Sequence, residues 1–173
     1  MIIAILNKSI EVVEFLLTIQ NIDVNKKGYK QKYPLKYAFE TEINEIIQLL
    51  LNDKRIKFSK NVLMKCEKIT EIQIPEFISK IGKNAFFGCV NLTKISLPLS
   101  LTTIKDGTFC KCSSLKEIII PSSVTSIGNY CFTECQQLQN ITLPQSLVSI
   151  GDLCFANCKS LKEITIPSSV MKI

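Results

Sequence analysis

Apolar residues in the last two-thirds of the chain follow a pattern that predicts short strands. Ile118 and Ile120 are two residues apart, so their side chains share one face of an extended segment. Pro121 follows directly and supplies no N–H to a sheet, which marks the end of that strand. Val124 and Ile127 then predict a second, shorter extended segment whose side chains also point inward.

The same pattern returns every 23 residues, which identifies an internal repeat. A phenylalanine late in each unit is predicted to place its ring in the core before the next unit begins. Repeats of this length that each leave an apolar face uncovered are typical of a solenoid, in which neighbouring units bury one another. The recurring positions are Cys66, Cys89, Cys112, Cys135 and Cys158; Pro75, Pro98, Pro121, Pro144 and Pro167; Ile81, Ile104, Ile127, Ile150 and Ile173; and Phe86, Phe109, Phe132 and Phe155.

Glycine recurs directly after the Ile position, at Gly82, Gly128 and Gly151. Because glycine tolerates a positive φ, these residues are expected where the chain turns. The equivalent residue in one unit is Lys105, so either a positive φ is not strictly needed there or the backbone shifts locally.

Before residue 65 the apolar residues follow a helical period instead. The segments 10–17 and 44–51 align at a spacing of 34 residues, and each has apolar pairs four residues apart. Val12/Leu16 and Ile46/Leu50 are examples, and such pairs predict one apolar helix face in each segment.

Composition fits a folded chain without a membrane span. Hydrophobic residues make up 46% of the sequence and charged residues 21%, which favours a filled core over disorder. No apolar run approaches the length of about 18 residues that a transmembrane helix needs. The net charge of +6 is spread over the chain without a dense basic stripe, so a nucleic-acid partner is not expected.

Two motifs resemble known repeat families. The stretch LKEIIIPSSVTSIGNYCFTEC resembles the BspA-type leucine-rich repeat, and the pattern covers residues 66–173 as four full units and one partial unit. The stretch Tyr33-Pro34-Leu35-Lys36-Tyr37-Ala38 resembles the TPLHxA signature of ankyrin repeats, which normally have Thr and His where Tyr33 and Lys36 stand. The expected fold is therefore a repeat solenoid: ankyrin-like helix pairs over 1–60, a junction at 61–65, and β-rich leucine-rich repeats with a 23-residue period over 66–173.

The cysteines could serve in packing, in a disulfide, or in a metal or catalytic site. Five cysteines lie in one column of the stack, where small buried thiols fit a tight turn, so a reduced structural ladder is expected. Cys131 and Cys154 share a second column, and Cys110 lies two residues from Cys112; these are the candidates for a disulfide in an oxidising compartment. The sequence has no histidine, so neither a zinc site nor a nucleophile–base pair is expected, and no metal, cofactor or enzyme activity is predicted.

Candidate binding residues lie on the outward face of the predicted strands. Each repeat has two outward positions on its strand. At the first, successive repeats carry Glu, Lys, Glu, Asn and Glu; at the second, Ile119 is the single apolar residue. A solvated polar ladder and a partner-binding surface both fit this pattern. The ten residues are Glu71, Gln73, Lys94, Ser96, Glu117, Ile119, Asn140, Thr142, Glu163 and Thr165.

A second charged cluster lies between the two helical segments. Five lysines crowd this stretch, which would attract acidic partners or anionic lipid if it is more than a solvated loop. The lysines are Lys26, Lys27, Lys30, Lys32 and Lys36.

These observations predict a non-enzymatic module that binds a protein partner. The BspA-type resemblance implies adhesion at a cell surface, whereas the absence of a signal peptide at the N-terminus and the many cysteines predict a cytoplasmic protein. The alternative function is a structural fragment of a longer repeat array that self-associates through the unpaired edge of its last repeat.

Overall fold

The computed structural model describes residues 1–172, so the predicted last member of the isoleucine column, Ile173, lies outside the described residues. The chain divides into two compact units, Met1–Lys57 and Phe58–Ile173. We call them the helical unit and the repeat unit. The predicted boundaries at residues 60 and 65 stay predictions.

The helical unit consists of two helix pairs. Helix α1 spans Ile2–Leu6 and α2 spans Ile10–Thr18; α3 spans Pro34–Thr41 and α4 spans Asn44–Asn52, with one 3-10 turn at Tyr29–Gln31 between the pairs. Proline begins α3 because its fixed φ suits the first helical turn and its missing N–H would have no partner there. Helices α1 and α3 contact each other, as do α2 and α4, so the two pairs lie side by side.

The two predicted helix faces are buried unequally. Helix α4 buries Ile46, Ile47, Leu50 and Leu51, as its period predicts. Of the corresponding residues in α2, Val13 is fully buried, whereas Val12 is about half exposed. Periodicity determines which side chains share a face, but it does not determine whether another element covers that face.

A single arginine joins the ends of the two helical segments. The Arg55 guanidinium donates to the Leu17 and Ile19 carbonyls at 2.8 Å each, at the C-terminal end of α2 where carbonyls lack helical partners. Its Nε donates to Asp53 Oδ1 at 2.9 Å. Asn25 adds a second link, because its amide donates to the Arg55 carbonyl at 2.7 Å.

Over its described residues, 58–172, the repeat unit contains seven short parallel strands in three sheets. Strand β1 (Glu71–Gln73) pairs with β2 (Lys94–Ser96), and β4 (Glu117–Ile119) pairs with β6 (Asn140–Thr142). The third sheet is made by the second extended segment of successive repeats. Its strands are β3 (Thr103–Ile104), β5 (Ser126–Ile127) and β7 (Ser149–Ile150), in the order β3-β5-β7.

Paired residues in all three sheets are 23 positions apart, for example Ile72 with Ile95 and Ile118 with Ile141. Inward residues of the strands are buried or nearly so, and outward residues are exposed or half-buried, as the alternation predicts. Val124 and Ile127 are also buried.

The expected positive φ is not found at the recurring glycines. Positive-φ glycines are Gly88 and Gly107, whereas Gly128 and its equivalents have none. A Cβ at Gly128 would instead collide with the backbone of Asp106 in the preceding repeat. Glycine is therefore needed for close approach between repeats, and its N–H donates to the Ile104 carbonyl at 2.8 Å.

Lys105, which replaces this glycine, coincides with a break in the ladder. Gly82 donates to the Phe58 carbonyl at 2.6 Å and Gly151 donates to the Ile127 carbonyl at 2.8 Å. Among the described residues no such bond joins Lys105 to Ile81, and the β3-β5-β7 sheet begins at this repeat. Both readings of Lys105 therefore hold: no positive φ is required, and the backbone departs locally from the regular stack.

Positive φ instead recurs at two other positions of the repeat. In the first four members of each column the N–H of the left-handed residue donates to a carbonyl of the following repeat, as Tyr130 does to Asp152 at 2.9 Å. The phenylalanine between the two positions donates in the same direction, so each turn contributes three bonds to the stack. The columns are Asn61, Asn84, Gly107, Tyr130 and Leu153, and Lys65, Gly88, Lys111, Glu134 and Asn157.

The core contains a continuous ladder of phenylalanine rings. Ring centroids of Phe86, Phe109, Phe132 and Phe155 follow one another at 5.5 to 5.6 Å in nearly parallel planes. Phe58 adds a tilted fifth ring 5.9 Å from Phe86. Phe58 occupies the column that holds isoleucine in later repeats, and Leu63 occupies the phenylalanine column. The first unit therefore has its larger side chain in the isoleucine column and its smaller one in the phenylalanine column.

The predicted junction at 61–65 lies within this stack. Asn61, Leu63 and Lys65 donate to carbonyls of residues 83, 85 and 87 at 2.6 to 3.0 Å, which is the turn ladder found in later repeats. Phe58 forms an isolated parallel bridge with Ile81. This segment has Phe58 in place of the isoleucine of the later units but keeps the backbone pairing that joins one repeat to the next.

Candidate functional site

All ten predicted binding residues have exposed side chains on the outward strand face. Exposure follows from strand geometry, because residues on either side of a buried isoleucine point away from the core. We call these ten residues the strand face. Eight of them lie on β1, β2, β4 and β6; Glu163 and Thr165 lie in the next repeat, outside the assigned strands.

Backbone pairing brings the strand-face residues together in two groups. Glu71 pairs with Lys94, which places opposite charges on adjacent strands, and Gln73 pairs with Ser96. In the second group Glu117 pairs with Asn140. Strands β2 and β4 contact each other but belong to different sheets, so the predicted continuous ladder is interrupted between them.

A shallow groove nevertheless runs across this interruption. It is lined by charged and amide side chains at the starts of the four strands, including Lys94, Lys116 and Glu117. Both signs of charge therefore line one continuous depression. Such a surface can bind polar and charged groups of a partner by hydrogen bonds and ion pairs.

Ile119 is the apolar exception on this face. Its side chain is 73% exposed, and its paired neighbour is Thr142. An exposed isoleucine surrounded by polar groups gains free energy when a partner removes it from water. The structure thus places a single apolar contact point beside the charged groove.

A second polar column lies beside β3, β5 and β7, and our sequence analysis missed it. Lys83 donates to Asp106 at 2.7 Å, the Asn129 N–H donates to Asp106 at 3.2 Å, and the Asp152 N–H donates to Asn129 at 2.9 Å. The hydrogen bond from Lys83, together with the Asn129 backbone, lowers the pKa of Asp106. The 23-residue spacing of these four positions would have revealed the column.

The column lines a groove whose other wall carries the small hydroxyls of Thr103, Ser126 and Ser149. Ser126 donates to Thr103 at 3.2 Å. The polar groups of this groove therefore bond mainly to one another, which fits a role in joining adjacent repeats.

The predicted cysteine ladder consists of buried thiols. Cys89, Cys112, Cys135 and Cys158 each donate from Sγ to a carbonyl of the preceding repeat at 3.1 to 3.2 Å. All eight cysteines have free thiols, and only Cys158 is more than slightly exposed. The thiol therefore satisfies a carbonyl between repeats while filling the space that a small apolar side chain would occupy.

Burial makes these thiols poor nucleophiles. It raises the pKa of Cys112 and Cys131 well above the ordinary value, and the neighbouring thiols of other repeats add to the shift. It also raises the pKa of Cys154 to about 12. Because the thiolate is the reactive and metal-binding form, the columns are suited to packing rather than to chemistry. No group of His, Cys, Asp or Glu suited to a metal ion occurs among residues 1–172.

Four lysines of the lysine cluster lie in the loop between α2 and α3, and Lys36 lies in the first turn of α3. Lys26, Lys27 and Lys30 are exposed, whereas Lys32 and Lys36 are half-buried. Lys32 forms an ion pair with Glu40 at 2.8 Å. Within the part of the chain that the structure describes, no helix has the length and apolar character required to cross a membrane.

Comparison with known proteins agrees with this architecture. A model described as the BspA type leucine rich repeat region matches residues 56–173 in six copies. Comparison with curated proteins gives no match. A leucine rich repeat protein from T. pallidum is 32% identical and has a TM-score of 0.63; the match covers 65% of this chain and 52% of that one.

A leucine rich cell surface protein from Faecalibacterium prausnitzii A2-165 is also similar. It is 30% identical with a TM-score of 0.60, over 61% of this chain and 28% of that one. The matched part thus spans about half of the first relative and less than a third of the second. The family match covers more than half of the chain, in agreement with the parallel strands and the stacked phenylalanine ladder, and the chain therefore belongs to the BspA-type leucine-rich repeat family.

Proposed function

We propose that the chain is a non-enzymatic module that binds a protein partner through the strand face. The observation that carries this proposal is the exposed Ile119 beside a groove lined by both signs of charge. Protein interfaces combine an apolar contact with a surrounding polar rim, and this face offers both on a rigid support of paired strands. The cell-surface relative from F. prausnitzii supports a role in recognition, since surface proteins meet other macromolecules directly.

Paired substitutions test the strand face. Full-length chain is immobilised, and proteins captured from the source organism and its surroundings are compared between wild type and Ile119→Asp. Leu99→Asp is the matched control, because Leu99 is 70% exposed on the repeat unit but lies outside the strand face. We expect Ile119→Asp to lose partners that wild type and Leu99→Asp both retain. Identical capture by all three proteins would contradict the proposal.

Self-association through the last repeat is the second candidate function. Ile166 and Met171 in this repeat are exposed, and Phe155 is only half-buried, unlike Phe109 and Phe132. A second copy would remove this apolar surface from water. Light scattering over a range of concentrations should then show a dimer that Ile166→Asp dissociates. A monomer at every concentration would exclude this candidate.

We also propose that the helical unit consists of ankyrin-type repeats. The second helices of the two pairs, Ile10–Thr18 and Asn44–Asn52, are 34 residues apart, and Pro34 begins α3 within the TPLHxA-like stretch. The Tyr33 side chain makes no capping bond to α3. Restoring the family residues with Tyr33→Thr and Lys36→His should therefore raise the free energy of unfolding of this unit by about 1 kcal/mol. A loss of stability would contradict the assignment.

A reducing, cytoplasmic environment is the proposal for localisation. Eight free thiols, seven of them buried, support it, whereas the name of the F. prausnitzii relative favours the cell surface. The two are separated by denaturing protein from its source in an alkylating reagent at the moment of lysis and then counting the alkylated thiols. Eight thiols per chain would support the cytoplasm, and a Cys131–Cys154 disulfide would support an oxidising compartment.

A further inference from the structure

The loop between α2 and α3 carries a concentrated positive charge in the helical unit. Residues 21–37 include five lysines and one acidic residue, Asp23. Asp23 accepts a hydrogen bond from the Asn25 backbone, and Lys32 is paired with Glu40. We call residues 26–32 the basic loop; its exposed lysines are Lys26, Lys27 and Lys30.

Hydrogen bonds hold the basic loop in one conformation. The Gly28 N–H donates to the Lys32 carbonyl at 2.9 Å, and the Gln31 N–H donates to the Gly28 carbonyl at 3.1 Å. The Tyr37 hydroxyl donates to the Tyr29 carbonyl at 2.6 Å, which fixes the loop to α3. A Cβ at Gly28 would collide with the Ile2 side chain, so glycine lets the loop lie close to α1.

The loop keeps two consecutive residues in the left-handed region. The φ angles of Lys30 and Gln31 are 55° and 56°, a conformation that side chains other than glycine, asparagine and aspartate rarely adopt. Strained backbone of this kind persists where the surrounding structure enforces it, and it is concentrated at binding sites. Here the enforced conformation leaves the Tyr29 side chain 80% exposed.

Tyrosine rings also position the lysine charges. The Lys27 ammonium lies 4.8 Å from the Tyr33 ring centroid, and the Lys30 ammonium lies 5.6 Å from that of Tyr29. These contacts restrict long side chains that would otherwise lose conformational entropy on binding. The basic loop therefore presents an exposed aromatic ring among partly ordered positive charges.

We propose that the basic loop binds an acidic protein segment, with carboxylates on Lys26, Lys27 and Lys30 and an apolar side chain against the Tyr29 ring. The charge complementarity selects an acidic ligand, and an exposed tyrosine whose backbone is held in place is the kind of residue that anchors protein interfaces. A nucleic acid would need several open rings for stacking, yet Tyr37 is buried and Tyr33 is half-buried, which leaves Tyr29 as the one exposed ring of residues 21–37. A membrane surface would favour exposed leucine, phenylalanine or tryptophan beside the lysines, and the basic loop has none.

Fluorescence anisotropy on the full chain tests this surface with a defined probe. The probe is a short labelled peptide of alternating glutamate and leucine, and the reference peptide has glutamine in place of glutamate. We expect the glutamate peptide to bind more tightly and to weaken as salt is added. The variant Lys26→Gln/Lys27→Gln/Lys30→Gln should weaken binding about tenfold.

Matched variants separate the loop from the net charge of the chain. Lys80→Gln/Lys105→Gln/Lys159→Gln removes three exposed lysines from the repeat unit and should leave binding unchanged. Tyr29→Ala should weaken binding about fivefold, and Tyr29→Phe, which keeps the ring, should not. Far-UV circular dichroism establishes that every variant retains its helices.

Three results would overturn the proposal. Equal binding of the glutamate and glutamine peptides would show that charge does not determine binding. Equal losses of affinity in the two triple variants would show that the peptide does not bind at the basic loop. Vesicles containing phosphatidylserine provide the third comparison. If they bind more tightly than the peptide and lose binding with the same loop variant, the surface recognises lipid instead of an acidic protein segment.

Discussion

The helical unit and the repeat unit achieve burial by different means. In the repeat unit every core side chain belongs to a column, so Phe109 packs between two rings of its own kind. In the helical unit an interaction such as that of Arg55 with Asp53 and the end of α2 occurs once. Columns distribute stability over many similar contacts, whereas the helical unit concentrates part of it in single side chains.

The two units also differ in the groups that couple stability to pH. All eight cysteines lie in the repeat unit, and burial raises the pKa of those in its core. In the helical unit the group with a lowered pKa is the Asp53 carboxyl, chiefly because Arg55 donates hydrogen bonds to it. Alkali should therefore weaken the repeat unit through its thiols. Acid should weaken the helical unit through Asp53, and it also removes the contribution of Asp106 in the repeat unit.

Alkaline destabilisation of the repeat unit is the largest effect expected. An unfolded thiol titrates near pH 8.5, so the unfolded state loses its protons before the folded state does. Stability is present below that pH and is lost as the pH rises toward the folded pKa values. Four buried thiols, Cys112, Cys131, Cys135 and Cys154, should together reduce the free energy of unfolding by about 4 kcal/mol from pH 8.5 to 9.5.

Urea unfolding in oxygen-free buffer, with no added reductant that would consume the thiol reagent, measures this change. Exposure of thiols to a chromogenic reagent follows the repeat unit, and tyrosine fluorescence mainly follows the helical unit, which holds Tyr29, Tyr33 and Tyr37. The helical transition should stay constant over the same pH range. Cys112→Ala/Cys131→Ala should reduce the pH dependence, and an unchanged slope would show that the buried thiols are not its cause.

Truncation in the middle of the ring ladder should have the next largest effect. Phe109→Ala removes a fully buried ring between two neighbours and should destabilise the repeat unit by about 3 to 4 kcal/mol. Phe155→Ala is the control, because Phe155 is half-buried and stacks on Phe132 alone among the described rings. Phe155→Ala should lower the free energy of unfolding by about half as much as Phe109→Ala. Equal losses in the two variants would mean that the position of a ring in the column does not affect its contribution.

Arg55→Ala removes the arginine contacts and should lower the free energy of unfolding of the helical unit by about 2 kcal/mol. Asp53 has a folded pKa below its unfolded value of about 3.9, so its contribution is present above that pH and is lost as the pH falls through the folded value. The difference between wild type and Arg55→Ala should therefore shrink below about pH 4. Arg55→Lys keeps the charge but not the planar fork, and full retention of stability by this variant would contradict the bonding geometry.

The sequence predicted the repeat much better than its details. The columns of cysteine, isoleucine and phenylalanine follow from spacing alone, and so does the exposure of the strand face. Spacing did not reveal the interruption between β2 and β4, because pairing depends on small backbone shifts. Phe58 was also missed, since it supplies its ring from the isoleucine column and so breaks the 23-residue pattern of the phenylalanines.

The glycines show a further limit of reading a conformation from a residue type. Gly128 suggested a positive φ, but it is needed for contact with the preceding repeat. The left-handed positions lie elsewhere and are occupied in part by Tyr130 and Leu153, which no propensity rule would assign there. In the repeats that have a following unit the turn ladder determines that backbone, because the Tyr130 N–H must reach the Asp152 carbonyl.

Relief of this backbone strain should produce the smallest effect and the opposite sign. Leu153 has a φ of 53° and is 61% exposed, so its side chain adds little packing to offset the conformational cost. Leu153→Gly should stabilise the repeat unit by up to about 1 kcal/mol, after allowance for the greater flexibility of glycine in the unfolded chain. Leu153→Ala, which retains a Cβ, should not stabilise it. Equal behaviour of the two variants in urea unfolding would show that the Cβ at this position does not determine the cost of the left-handed conformation.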